Sequence, residues 1–134
     1  MLAYLWVALG SALGGMARYG LGLAAARLWG AAFPWGTLLI NVVGSFVIGC
    51  FGTLTLPGGP LPAGAGLRIF VMVGLCGGFT TFSSFSLQTL ELVRSEAWGA
   101  AFANVAGSLV LCLLAVAAGW WLGARIGATP SAGS

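Results

Sequence analysis

Charge has almost vanished from this chain, and that scarcity constrains its fold more than any motif does. Only Arg18, Arg27, Arg68, Arg94, Arg125, Glu91 and Glu96 are charged, and four apolar stretches fill most of the remainder: Leu2–Trp29, Trp35–Leu56, Leu67–Val93 and Trp98–Leu122. Each is near or above the ~20 residues that a helix needs to cross a bilayer. Inside lipid every backbone N–H and C=O must find its partner within the protein, so stretches of this length are expected to be helices. Charged residues make up 5% of the sequence, against roughly 25% in soluble domains. The expectation is an all-α integral membrane protein, one four-helix domain over residues 1–134. Phe33-Pro34-Trp35, the run Leu56-Pro57-Gly58-Gly59-Pro60-Leu61-Pro62, and Arg94-Ser95-Glu96-Ala97 supply the breaks between spans.

The same composition excludes much chemistry. There is no histidine, and both carboxylates fall near the end of the third span. A zinc site, a catalytic carboxylate pair and a histidine-based triad are therefore ruled out by supply, and the chain is not expected to be an enzyme. Proton-coupled pumps use a titratable group at membrane depth, and none is offered here, which favours conduction without proton coupling. Cys50, Cys76 and Cys112 lie inside apolar spans and are odd in number, so they read as packing residues rather than a disulfide framework. Met1 to Leu13 has no basic residue ahead of its apolar run, so it reads as the first half of a span rather than a cleaved signal.

Arginine placement bears on topology. With four spans, Arg68 and Arg125 fall on one side of the membrane; Arg27 and Arg94 fall on the other, joined by Arg18 if it lies past the midplane. That tally is too even for the positive-inside rule to select a direction. Insertion both ways round follows, and with it an antiparallel homodimer. The net charge of +3 is too dispersed for a nucleic-acid surface.

An internal repeat is legible. Trp35-Gly36 precedes Asn41-Val42-Val43-Gly44-Ser45, and Trp98-Gly99 precedes Asn104-Val105-Ala106-Gly107-Ser108 at the same spacing, while Gly14-Gly15 matches Gly77-Gly78 at that offset. Positions i and i+4 share a helix face, so Asn41 with Ser45, and Asn104 with Ser108, form polar stripes on apolar helices. Such stripes either glue helices together or line a path for ions and water.

The third stretch departs most from a simple span. Residues 74 to 86 read GLCGGFTTFSSFS, and glycine weakens a helix by roughly 1 kcal/mol relative to alanine. Gly74, Gly77 and Gly78 are expected to let the helix open near Gly77–Thr80, with Thr80 and Thr81 satisfying freed backbone groups. Carbonyls exposed by a break suit a hard cation; the amides that begin the following half-helix favour an anion. Phe79, Phe82 and Phe85 form one stripe beyond the break, and Thr81, Ser84 and Gln88 a neighbouring polar one. A phenylalanine edge carries partial positive charge and can contact an anion, although a core stripe has the same spacing.

The run Gly77-Gly78-Phe79-Thr80-Thr81-Phe82-Ser83-Ser84-Phe85-Ser86, with Gly14-Gly15-Met16-Ala17-Arg18-Tyr19 and Asn41-Val42-Val43-Gly44-Ser45-Phe46, resembles the CrcB/Fluc family of fluoride-specific ion channels. The resemblance covers essentially the whole chain. It implies an antiparallel, dual-topology homodimer in the bacterial inner membrane that exports toxic fluoride passively through two pores, with a structural sodium ion at its centre that is not transported. By position it implies that Gly77 and Thr80 give backbone carbonyls to the sodium, from both subunits. Phe82 and Phe85 are then the pore phenylalanines, Asn41 the amide that orients or contacts fluoride, and Ser108 a pore-side serine. Thr37 lies on the same route, with Thr81 and Ser84 on the polar stripe, and Arg18 stands near the aqueous vestibule. Two positions depart from the family pattern: Asn104 stands where many relatives have tyrosine, and Gln88 where many have glutamate. The rival classes are a small multidrug-type exporter, which would need a glutamate in the first span, and a non-conducting structural membrane protein.

Overall fold

A computed structural model describes residues 1–128, and among these there are helices and connecting turns but no strand. Helix α1 is Leu2–Trp29 and α2 is Trp35–Leu54. The third helical stretch, α3, covers 65–79 and is wound in three parts: an opening turn Ala65–Arg68, a π-helix Ile69–Cys76 and a closing turn Gly77–Phe79. Helix α4 is Phe82–Arg94, and α5 is Trp98–Ala128. The second stretch thus stops two residues short of its expected end at Leu56, and the fourth runs on past Leu122.

Three stretches among the described residues are long and apolar enough to cross a membrane: Trp35–Leu54, Ala65–Arg94 and Trp98–Gly127. Helix α1 has the length, at 28 residues, but its glycines, tyrosines and Arg18 dilute its apolar content.

The helices meet along seams of small residues, as expected where lipid removes the hydrophobic drive between apolar helices and close backbone contact must supply the attraction. At the α2–α5 seam a methyl on Gly119 would run into the Phe46 carbonyl and sit 2.9 Å from the Cys50 nitrogen. At the α1–α3 seam a methyl on Gly78 would lie 2.7 Å from the Ser11 Cα. Any side chain at either position would force the helices apart.

This corrects one expectation. Gly74 and Gly78 do not open the third helix; they let it lie against α1, and Gly77 keeps ordinary helical angles (φ −64°, ψ −37°). The break itself falls at the end of the expected Gly77–Thr80 stretch, at Thr80 (φ −77°, ψ 158°) and Thr81 (φ −154°, ψ 115°), both extended.

The distribution of burial inverts that of a soluble domain. The buried apolar side chains are small or few (Ala25, Leu38, Ile40, Cys76, Ala101), whereas Thr37, Thr53, Thr55, Thr81, Asn104 and Ser108 are all buried. Large apolar residues such as Phe102, Leu109, Leu114 and Trp121 face outward, where lipid or another protein surface takes the place of water. Arginines stand at helix C-termini: Arg27, Arg94 and Arg125 in the last turns of α1, α4 and α5. Arg68 reaches back from α3 to donate to the Thr55 carbonyl and hydroxyl at the end of α2. Positive charge there complements the negative end of the helix dipole, which accounts for arginines at both ends of the bundle.

Candidate functional site

The break is built from hydroxyls and one carboxamide. Thr80 ends α3 by donating both its backbone N–H and its hydroxyl to the Cys76 carbonyl, each at 2.9 Å. Thr81 then caps α4: its hydroxyl oxygen accepts from the Ser84 N–H at 3.1 Å and donates to the Ser84 hydroxyl at 3.0 Å. A threonine cap of this kind contributes about 1 kcal/mol. Between the two halves, Asn41 of α2 clamps the extended backbone. Its Nδ2 donates to the Thr81 carbonyl at 3.1 Å, and its Oδ1 accepts from the Thr81 N–H at 2.8 Å. Gly44, one turn further along α2, leaves room for the Thr80 methyl, which a side chain at 44 would strike.

Two diverted donors follow from this arrangement. In a continuous α-helix the N–H of residue i serves the carbonyl of i−4, so Thr81 would serve Gly77 and Ser84 would serve Thr80. Here those N–H groups go to Asn41 and to the Thr81 hydroxyl. The carbonyls of Gly77 and Thr80 are thereby released from their regular donors. Gly77 is exposed, and the space where a side chain would stand is open.

Beside the break lies a groove of about 600 Å³. Asn41, Gly77, Thr80, Thr81, Phe82, Phe85 and Ser108 all line it, with an aliphatic wall that includes Ile48, Val105 and Leu109. Phe82 and Phe85 tilt against each other, ring centroids 5.3 Å apart at 43°, and Phe82 is 79% exposed. Cys76 and Cys112, read from sequence as packing residues, also border it. No charged side chain lines the groove; its polar groups are hydroxyls, one carboxamide and the start of α4.

Other expected site residues fall elsewhere. Thr37 is buried and lines a second groove of about 570 Å³, together with Gln88, Glu91, Ser95 and Trp35. Ser84 supports the groove through Thr81 without lining it. Arg18 is half-buried on α1, outside the lining of either groove. Between the two grooves along α4 lies a contact that the sequence reading missed: Asn104 Nδ2 donates to the Thr89 hydroxyl at 2.8 Å, and that hydroxyl donates to the Phe85 carbonyl at 2.7 Å. A hydroxyl four residues after Phe85 was the available signal, since threonine commonly bonds back to the i−4 carbonyl.

Residues 5–120 match the family model described as "CrcB-like protein, Camphor Resistance (CrcB)". The chain belongs to the CrcB family. A relative from Opitutus terrae is 59% identical over 123 residues, covering 92% of this chain and 90% of its own length, and is named "Fluoride-specific ion channel FluC". Relatives with the same name in Gluconobacter oxydans and Rhodospirillum rubrum are 59% and 52% identical, over 84% and 91% of this CrcB-family chain and 78% and 92% of their own lengths. The matched region contains the Asn41 clamp, the break and the groove.

Proposed function

We infer that this CrcB-family protein is a multi-pass membrane channel that lets fluoride run passively down its gradient, and that it is not an enzyme. The observation that carries this reading is the convergence of weak donors on one uncharged groove beside the break. Fluoride is small and strongly hydrated, so a conducting path must replace its water with donors yet hold no site so deep that the ion stays. The Ser108 hydroxyl, the edges of Phe82 and Phe85 and the amides opening α4 are donors of that graded kind. Asn41 orients the path by fixing Thr81, Thr37 carries it onward past the second groove, and Arg18 draws anions toward the vestibule.

The working unit in this proposal is a homodimer in the bacterial inner membrane, its subunits antiparallel and each crossing four times, α1 included, with two pores. The single-chain groove is open on one side and leaves Phe82 uncovered, which a second copy would close. The released Gly77 and Thr80 carbonyls fit a sodium ion, because hard cations take oxygen ligands and the open space at Gly77 admits the matching carbonyls of a second copy. A sodium ion there would offset repulsion among anions and tie two broken helices together. A multidrug-type exporter is disfavoured because the first span holds no carboxylate.

The test is anion efflux from liposomes loaded with potassium fluoride or potassium chloride, with valinomycin to carry the compensating potassium. Rapid loss of fluoride with chloride retained, slowed by Phe82→Ile, is the expected result. Retention of fluoride by vesicles holding folded protein would remove the channel reading, and sodium flux alongside fluoride would overturn the structural role of that ion.

A further inference from the structure

Two side chains of α5 are almost wholly enclosed and still have an oxygen without a partner. Asn104 is 1% exposed and Ser108 8% exposed, and among the described residues neither Asn104 Oδ1 nor Ser108 Oγ has a hydrogen-bond partner. The Asn104 amide is held by its nitrogen on Thr89, whose hydroxyl is in turn committed to the Phe85 carbonyl. That anchorage leaves Oδ1 on the far side of the amide. Ser108 stands one turn further along the same face and lines the groove.

A buried polar atom without a partner in a native protein calls for a bound water or ion. An anion is excluded beside Oδ1, which is an acceptor only. A cation is disfavoured because two neutral oxygens fall well short of the 6–8 that hard ions such as calcium gather. Water suits the arrangement: residues at i and i+4 are neighbours on one helix face, and a water can donate one hydrogen to each of two acceptors there.

We propose that a single water bridges Asn104 Oδ1 and Ser108 Oγ, donating one hydrogen to each, and that Asn104 thereby positions the Ser108 hydroxyl with its own proton directed into the groove. This rests on the reading of that groove as the fluoride path. Asn104 never touches the anion; it occupies the accepting side of Ser108 through the water, so the remaining O–H is left to donate. The third unpartnered oxygen, Gln88 Oε1, borders the second groove and takes no part.

The test has two arms, both on full-length protein. In reconstituted vesicles, fluoride efflux is compared for wild type, Asn104→Leu, Ser108→Ala and the double variant. Asn104→Leu is expected to slow efflux on the order of tenfold, the equivalent of one lost hydrogen bond. The double variant is expected to be no slower than Ser108→Ala alone, because Asn104 acts only through Ser108. A wild-type rate for Asn104→Leu, or slowing that adds fully to that of Ser108→Ala, would overturn the positioning role. The second arm is a high-resolution crystal structure of the wild type, which does not depend on any variant folding. Density for a water within hydrogen-bond distance of both oxygens is expected; two ordered side chains with nothing between them would sink the bridge. Wild-type vesicles that retain fluoride would take down the channel reading and the positioning role with it, whereas the density decides the water separately.

Discussion

Asn41 and Asn104 head the two copies of the same Asn-x-x-x-Ser pattern, yet their side chains meet different surroundings. Asn41 faces a gap in a helix, and both ends of its amide are taken by the Thr81 backbone. Asn104 faces an intact helix, whose backbone groups already serve one another, so only its nitrogen finds a partner, the Thr89 hydroxyl, and its oxygen is left over. A carboxamide can therefore act as a splint where the backbone is broken, and it becomes a seat for a small polar guest where the backbone is whole. The repeat supplied one residue type; the partner helix determined its use.

Removing the splint is expected to have the largest effect. Asn41→Leu would strand the buried N–H and C=O of Thr81, at about 1–3 kcal/mol each, so we expect thermal unfolding in detergent to shift down strongly and fluoride efflux to be lost. Removing Asn104 should separate stability from conduction. Asn104→Leu deletes an oxygen that has no protein partner and leaves the Thr89 hydroxyl still bonded to Phe85, so its cost is expected to stay within about 1 kcal/mol while efflux slows. Equal destabilisation by the two leucines would erase the distinction between them.

How much of this was legible in the sequence differs between the two regions. The apolar spans, the paired asparagine stripes and the phenylalanine stripe are all periodic features, and Asn41, Thr81, Phe82, Phe85 and Ser108, singled out on that basis or by resemblance, converge on one groove. The break lies where the sequence places it, near Gly77–Thr80, but its cause was misread because glycine was treated as a helix breaker. Among membrane helices it also serves as the residue of close approach, and Gly74 and Gly78 are used that way against Gly10 and Ser11. Hydroxyls, which can stand in for backbone partners, mark the break instead. The anchorage of Asn104 was illegible because periodicity gives a residue's face and not the identity of what lies opposite.

Substitutions that cost less than the loss of Asn41 would sharpen the contrast around the break. Gly44→Ala would press on the Thr80 methyl at about 1–3 kcal/mol of overpacking, expected as a lower unfolding temperature together with slower efflux. Thr81→Val keeps the shape but removes the cap on α4, at about 1 kcal/mol; Thr81→Ser should recover most of the loss in both assays. The smallest effect is expected far from either asparagine. Arg125 lies 4.7 Å from the centre of the Trp121 ring, an exposed contact of about 0.5–1 kcal/mol, so Arg125→Gln should lower the unfolding temperature slightly and leave efflux unchanged.

The central claim is that the break held by Asn41 forms part of a fluoride path. Its most direct test is the rate of valinomycin-supported fluoride efflux from vesicles containing wild type or Asn41→Asp, with chloride-loaded vesicles as the control. The account predicts fast fluoride loss for wild type, little for the variant, and chloride retained by both. Fluoride efflux from folded Asn41→Asp at the wild-type rate would contradict it.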